Sequence, residues 1–309
     1  MLQIVMYHYV RDRSDVMFPN LPVRTLNEFN NQVLYLKKRF NIISIHEAID
    51  AIVNGEPKDM NNSVILSFDD GYLDHYINVL PVLVENDLSG IFFPVVCSSR
   101  DFSLLSVNRI QFLLAAVKDH GVLREKMDMA ILESQSEVGL KSPEEYWEIW
   151  SKGGRWDSAE TFYIKRMLQR GLPRPFAYEL AKDFFKRFVT DDERGFAEQL
   201  YMSETQIEEM VGHGMVIGNH TNSHPWLTEL SHSEVREEIR SGVEWLSKLG
   251  QSVQNWVMCY PFGGHSDQIC DIAQQEGAVL GLTVDHGDIG STSVSSMRLP
   301  RIDTNCLPY

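Results

Sequence analysis

The sequence of 309 residues is short of cysteine, short of basic residues relative to acidic ones, and without a long apolar run. Its four cysteines (Cys97, Cys259, Cys270 and Cys306) lie far apart with no C-x-x-C pair, so reduced thiols are a simpler reading than a disulfide framework. Lys and Arg number 28 against 43 Asp and Glu, and the formal net charge is −15. Such a field repels phosphate backbones, and no local basic patch offsets it, so nucleic acid is not an expected partner. The most apolar internal stretch, Gly90 to Cys97, is far shorter than the roughly 20 residues of a membrane helix. The opening MLQIVMYHYVRDRSD has neither the basic n-region nor the apolar h-region of a signal peptide. A cytoplasmic protein with no integral membrane segment is expected. What remains is ordinary globular composition, 43% apolar and 23% charged, which excludes a disordered tail, a collagen-like fibre and a coiled-coil rod.

Short runs rich in Val, Ile and Phe alternate with amphipathic stretches. Leu2–Met6 reads as a strand. Thr25–Phe40 carries Phe29, Val33, Leu36 and Phe40 at helical spacing. A short strand at Ile42–Ser44, a helix from Ile45, a strand at Val64–Phe68, a helix near Leu73–Asn86 and a strand at Gly90–Cys97 follow. This alternation predicts a parallel α/β architecture. From about Ser106 to Met210 nearly every segment reads as helix, including Val107–Lys118 and Ala177–Val189. The α/β rhythm then resumes with strands at Met215–Gly218, Trp256–Tyr260, Val279–Val284 and Arg298–Ile302 and a long helix over Glu234–Leu249. The expected organisation is one α/β domain over residues 1–309 with a mainly helical insertion at about 100–212.

Three groups of polar residues stand at predicted strand ends, where parallel α/β folds place reactive groups. The first is Ser67-Phe68-Asp69-Asp70-Gly71-Tyr72. A plain turn competes with a site here, because Asp-Gly is a good turn and an Asp caps helices. Successive strand side chains point to opposite faces, so Asp69 and Asp70 need special geometry to share one site. They suit poorly the opposed carboxyl pair of a glycosidase, set at least roughly 5 Å apart across the substrate. The second group is Asn219-His220-Thr221-Asn222-Ser223-His224-Pro225. Two histidines four apart can converge on one metal, and a carboxylate such as Asp70 would complete a three-ligand set with a coordination position left for water. The third is Tyr260-Pro261-Phe262-Gly263-Gly264, a rigid turn whose backbone N–H groups could face a developing oxyanion.

Together these motifs resemble the polysaccharide deacetylase family, also called the NodB-homology or carbohydrate esterase family 4 group. Ser67–Gly71 is similar to its T/S-F-D-D-G motif, and His220–His224 to its H-S/T-x-x-H motif, in the family's order. The resemblance covers roughly residues 1–100 and 213–305. It implies a distorted (β/α) barrel of about seven strands. It also implies a divalent metal, most commonly zinc with cobalt or nickel as alternatives, and removal of an acetyl group from an acetylated sugar. Carried over residue by residue, Asp70, His220 and His224 would hold the metal and Asp69 would be the general base for metal-activated water. The backbone N–H of Phe262 would help to stabilise the oxyanion.

Two departures stand out. The family's third motif is typically R-P-P-Y-G, and here the arginine position is Cys259. Arg301, at a late predicted strand, is the candidate replacement. The family's late L-x-x-H-D motif, which supplies a histidine as general acid, is missing near the C-terminus. The N-terminal Ile4-Val5-Met6-Tyr7-His8 looks like that strand–histidine unit moved to the front, and a first barrel strand neighbours the last. His8 is therefore the candidate acid, with His286 in reserve as a loop residue. His46, His75, His120, His213, His232 and His265 read as structural or solvent-facing. Tyr72, Tyr260, Trp226 and Phe262 flank the motifs as candidate substrate contacts, and sugar rings stack on aromatic faces. The expected reaction is hydrolysis of an acetamido group of a sugar or glycan to amine and acetate, with surface-glycan assembly as its setting. An inactive glycan-binding module on the same fold, or a metal-dependent hydrolase of a non-sugar amide, would account for the same motifs.

Overall fold

The computed structural model describes residues 2–12, 18, 21–54, 60–152, 157–289 and 295–308. Eight strands realise the predicted alternation: β1 (Leu2–Tyr7), β2 (Asn41–Ile42), β3 (Ser63–Asp70), β4 (Ile91–Pro94), β5 (Val216–Ile217), β6 (Trp256–Cys259), β7 (Ala278–His286) and β8 (Leu299–Asp303). Every pairing between them is parallel. The order is β5-β4-β3-β1-β8-β7-β6, and β2 stands off this path against β3. Just past β5, Asn219 donates its N–H to Val257 O and accepts from the Cys259 N–H, both at 2.9 Å, which links the two end strands. The result is the distorted (β/α) barrel of about seven strands that the motifs implied. One edge of β3 shows the distortion: β2 pairs with Ser63 and Val64 at its start, and β4 takes over from Ser67 to Asp70. All eight residues of β3 are buried, as expected of a strand covered on both faces.

The helices begin where short polar side chains cap them. Thr25 with Glu28 and Ser44 with Glu47 form capping boxes that start the helices Leu26–Arg39 and Ile45–Ile52. Phe29, Val33 and Leu36 enter the main core beside Tyr7 and Phe68, and Tyr7, Phe68 and Phe92 stack in series. Two expected elements differ, each at a proline. The helix expected near Leu73–Asn86 is a wide π-type turn over His75–Val79 followed by the helix Leu80–Glu85. Pro81 lacks the N–H that a regular helix would offer to the Ile77 carbonyl, which favours the wider turn. The strand expected to reach Cys97 ends at Pro94, and Val96–Asp101 is helical.

The chain divides into two compact units. The first comprises Met1–Asp15, Val23–Ser103 and Ala197–Tyr309 and holds the barrel. The second comprises Val16–Pro22 and Leu104–Phe196. Its described residues form helices around a separate core that includes Leu113, Leu123, Met127, Ile131 and Tyr163. Within it the buried Arg109 pairs with Glu193 at 2.6 Å. The helix Glu204–Gly212 lies in the barrel unit, so the boundary falls earlier than residue 212.

Candidate active site

At the end of β3 the backbone turns left-handed at two successive residues, Asp70 (φ 69°) and Gly71 (φ 70°). This is the special geometry that adjacent acids need to serve one pocket. A side chain at Gly71 would be strained by that φ, and its Cβ would lie 2.6 Å from Pro94 Cβ. Asp70 carries strain without glycine's freedom, as residues at functional sites often do. Thr221, His224 and Phe262, in the other two motif loops, also have positive φ.

Asp70, His220 and His224 converge. The Nε2 atoms of both imidazoles lie 3.4 Å from Asp70 Oδ1, and all three side chains are buried. The second carboxylate oxygen, Oδ2, accepts the Tyr72 hydroxyl at 2.7 Å. His220 Nδ1 faces the Cys259 carbonyl at 2.7 Å. A carbonyl only accepts, so Nδ1 carries a proton, and Nε2 is the atom turned to the pocket, where it meets Asp70 as an N–H when the ring is charged and offers a lone pair when it is neutral. Burial opposes charge on Asp70, but the hydrogen bond to His220 and the two imidazoles outweigh it and hold the carboxyl well below its usual range. Burial pushes His224 down to about 4. Burial opposes charge on His220 as well, yet Cys259 and Asp70 beside it raise it well above the ordinary value. The pocket thus pairs an ionised Asp70 with a charge-favouring His220 and keeps His224 neutral. One carboxylate oxygen and two imidazole nitrogens within 4.8 Å of one another suit a divalent cation of the zinc type.

Asp69 stands beside this triad. Arg301 from β8 grips it with a two-pronged contact, Nη1 to Oδ1 and Nη2 to Oδ2, each 2.8 Å. Burial tends to raise the Asp69 pKa, and the Arg301 charge overcomes it and lowers the carboxyl below its usual value. The arginine is itself fixed, with Nε donating to Thr283 O at 2.8 Å and Nη2 lying 3.3 Å from Cys259 Sγ. The guanidinium therefore lies between Asp69 and the very position where the family motif carries its arginine. His8, just past β1, places Nε2 3.9 Å from Asp69 Oδ2, with 42% of its side chain exposed. β1 lies between β3 and β8, which is why an N-terminal histidine reaches this site.

The loop carrying the two histidines is held from a distance. Glu238, on the helix His232–Lys248, accepts the backbone N–H groups of Asn222 (3.0 Å) and Ser223 (2.9 Å) and the Ser223 hydroxyl (2.7 Å). Asn219 accepts the Thr221 N–H and donates to Ile239 O, a contact close enough that a Cβ at Gly242 would fall 2.1 Å from Asn219 Oδ1. Sequence reasoning missed Glu238, because nothing local marks one glutamate of an acidic helix face.

Two expected substrate contacts are corrected. Tyr72 is fully buried, stacked on Tyr9 at 4.0 Å and bonded to Asp70, so it presents no face to a sugar. Tyr260 is 1% exposed and donates its hydroxyl to Met297 O. Trp226 and Phe262 are half-buried and stack on each other at 4.6 Å and 2°, with Phe262 also edge-on to His224. His286 is the exposed last residue of β7 and not a loop residue. The other histidines read as structural include one, His75, whose ring meets the backbone of His8.

The polysaccharide deacetylase family model matches residues 161–281. That span takes in His220, His224 and Cys259, begins inside the helical unit, and stops short of Asp69 and Asp70 on its N-terminal side. No curated protein sequence matches the chain. Among solved structures it is similar to the Streptococcus pyogenes deacetylase PplD in complex with acetate, at 19% identity and a TM-score of 0.59 over 98% of this chain and 91% of that one. A de-N-acetylase from Aggregatibacter actinomycetemcomitans gives 15% identity and 0.56 over 98% and 95%. IcaB from Ammonifex degensii gives 17% and 0.53 over 97% and 90%. At these identities the likeness is one of fold.

Proposed function

We propose that this chain, which carries polysaccharide deacetylase motifs and a match to that family's model, is a metal-dependent hydrolase that removes the acetyl group from an acetamido sugar. The observation that carries the reading is the joining of two units in one pocket. One is a carboxylate–imidazole–imidazole triad with a carboxylate oxygen and two Nε2 atoms turned inward, and the other is a second carboxylate locked by a buried arginine.

In this reading Asp70, His220 and His224 hold a divalent cation. Such a cation, when bound, polarises a water molecule and the acetyl carbonyl. Asp69 takes the proton of the attacking water. Arg301 keeps that carboxylate ionised and fixes the direction of its lone pairs, the task of an arginine at residue 259 in the family motif. The Phe262 N–H donates to no acceptor among the described residues, which suits a donor to the oxyanion. His8 gives its proton to the departing amine, and the exposed edge of its ring fits a group that meets substrate. Trp226 with Phe262 would form one wall of the sugar subsite. A glycan-binding module would need neither Asp69 nor its arginine. The four cysteines, free of disulfides, favour a reducing, cytoplasmic setting and a precursor glycan as substrate. No helix among the described residues is long and apolar enough to cross a membrane.

The test is acetate release from N-acetylated saccharides and from linear acetamides, with chelated protein and after zinc, cobalt or nickel is restored. The expected result is metal-restored release from saccharides, lost by at least a hundredfold in Asp69→Asn with metal binding retained. Metal binding without release from any saccharide would overturn the deacetylase reading. Release from linear acetamides alone would make this an amidase of another substrate class.

A further inference from the structure

His8 sits on the first residues of a segment that leaves the end of β1 and pairs with Arg24, whose N–H donates to Tyr9 O (3.1 Å) and whose carbonyl accepts the Arg11 N–H (2.9 Å). Three side chains from one turn of chain hold other groups of this segment. His75 Nε2 lies 2.8 Å from the backbone carbonyl of His8. Asp74 Oδ2 accepts the backbone N–H of Val10 at 3.1 Å and the Arg11 Nε–H at 2.7 Å, and its Oδ1 lies 2.6 Å from Arg11 Nη2. Asn78 donates Nδ2–H to the Val10 carbonyl at 2.7 Å. All three belong to the turn that follows β3, where His75–Val79 adopts the wide π-type geometry common at functional sites.

The bonding is directional and gives partners to the His8 carbonyl and to both main-chain groups of Val10. A carbonyl accepts only, so His75 must carry its proton on Nε2. Its Nδ1 is buried and has no partner among the described residues. A histidine used only for packing would be an expensive choice there, since a buried ring nitrogen without a partner costs stability. The strand that leads into this turn also carries Asp69 and Asp70. One continuous stretch, residues 69–78, therefore carries both the carboxylates and the side chains that hold the backbone at His8.

We propose that Asp74, His75 and Asn78 form a clamp that positions the general acid, with the His75 Nε2–H to His8 carbonyl bond as its central contact. They are positioning residues: none reaches the reacting atoms, and they act by fixing where the His8 ring lies relative to the base. The inference rests on His8 being the acid of the proposed reaction. An amine leaves only with a proton, whereas an aryl oxide leaves without one. A misplaced acid should therefore slow amide cleavage and spare cleavage of an activated aryl ester.

The experiment compares turnover of an N-acetylated oligosaccharide with that of 4-nitrophenyl acetate in metal-loaded enzyme. His8→Ala, His75→Leu and His75→Gln are the variants, since the glutamine amide can restore an N–H near the imidazole Nε2 position. The expected result is an amide-to-ester ratio lowered at least tenfold in His75→Leu. The loss should lie in kcat and not in KM, and His75→Gln should recover most of it. Equal loss of both activities in His75→Leu, or no recovery in a folded His75→Gln, overturns the clamp. A His8→Ala enzyme with its amide-to-ester ratio intact overturns the assignment of the acid and the clamp with it. His8→Ala impaired with His75→Leu intact removes the clamp alone. If His75→Leu does not fold, Asn78→Ala cuts the same clamp more gently and is held to the same ratio.

Discussion

Two acids, two imidazoles and one guanidinium make up this pocket, and the sequence disclosed them unevenly. Asp69, Asp70, His220 and His224 were legible because their spacing at strand ends is itself the signal. The partnership of Arg301 with Asp69 joins residues 232 positions apart, and only the pairing of β1 with both β3 and β8 closes that distance. Tyr72 and Tyr260 misled for a different reason: an aromatic beside a motif has the same letters whether it faces sugar or core. His75 is the clearest case of a residue whose burial carries a measurable consequence. Burial pushes its imidazole down to about 4, partly opposed by the hydrogen bond to His8. The unfolded chain binds that proton near pH 6.5, so between these values the unfolded state holds more protons and folding stability falls as pH falls. This group alone should cost about 2 kcal/mol between pH 7 and pH 5, with little further loss below pH 4. Urea unfolding of wild type and His75→Gln at both values measures it. The glutamine variant should lose less stability on acidification, and parallel losses would show that another group titrates.

At the scale of elements, strand starts were the most readable feature, and strand ends and some helix starts the least. Ser231 with Glu234 closes a capping box, so the helix expected from Glu234 begins at His232. Strands of two to four residues such as β2, β4 and β5 carry too few letters to reveal their limits. The loop between β5 and the helix His232–Lys248 shows how an element serves the site without touching it. Glu238 accepts three donors from Asn222 and Ser223, and with them restrains a segment in which Thr221 and His224 both hold positive φ. Residues that orient ligands typically influence metal affinity by ten- to a hundredfold. Glu238→Ala should weaken cobalt or zinc binding by roughly tenfold or more, measured by competition with a chromophoric chelator, while thermal unfolding of the metal-free protein shifts little. Unchanged affinity would show that the loop is set by Asn219 and its own backbone alone.

At the scale of the whole molecule, alternation of apolar runs and amphipathic helices announced a parallel α/β architecture and the family resemblance a barrel, but strand order was beyond both. β1 lies between β3 and β8, while β2 pairs with the opposite edge of β3 and covers just its start. That placement turns an N-terminal histidine into a neighbour of the Asp69 carboxylate on the third strand. A second property of the whole chain, its net charge of −15, bears on which glycans the proposed hydrolase would take. A field of that sign disfavours approach of anionic polymers and tolerates neutral ones, as well as the cationic amines left by deacetylation. Salt screens it, with a Debye length of about 8 Å at physiological ionic strength. Raising sodium chloride from about 50 mM to about 500 mM should leave KM for a neutral N-acetylated oligosaccharide nearly unchanged. KM for a uronic-acid-bearing analogue should fall severalfold over the same range, with kcat steady in both. A rise in KM for the acidic analogue would instead place a local cationic subsite near the pocket, strong enough to reverse the field of the whole protein.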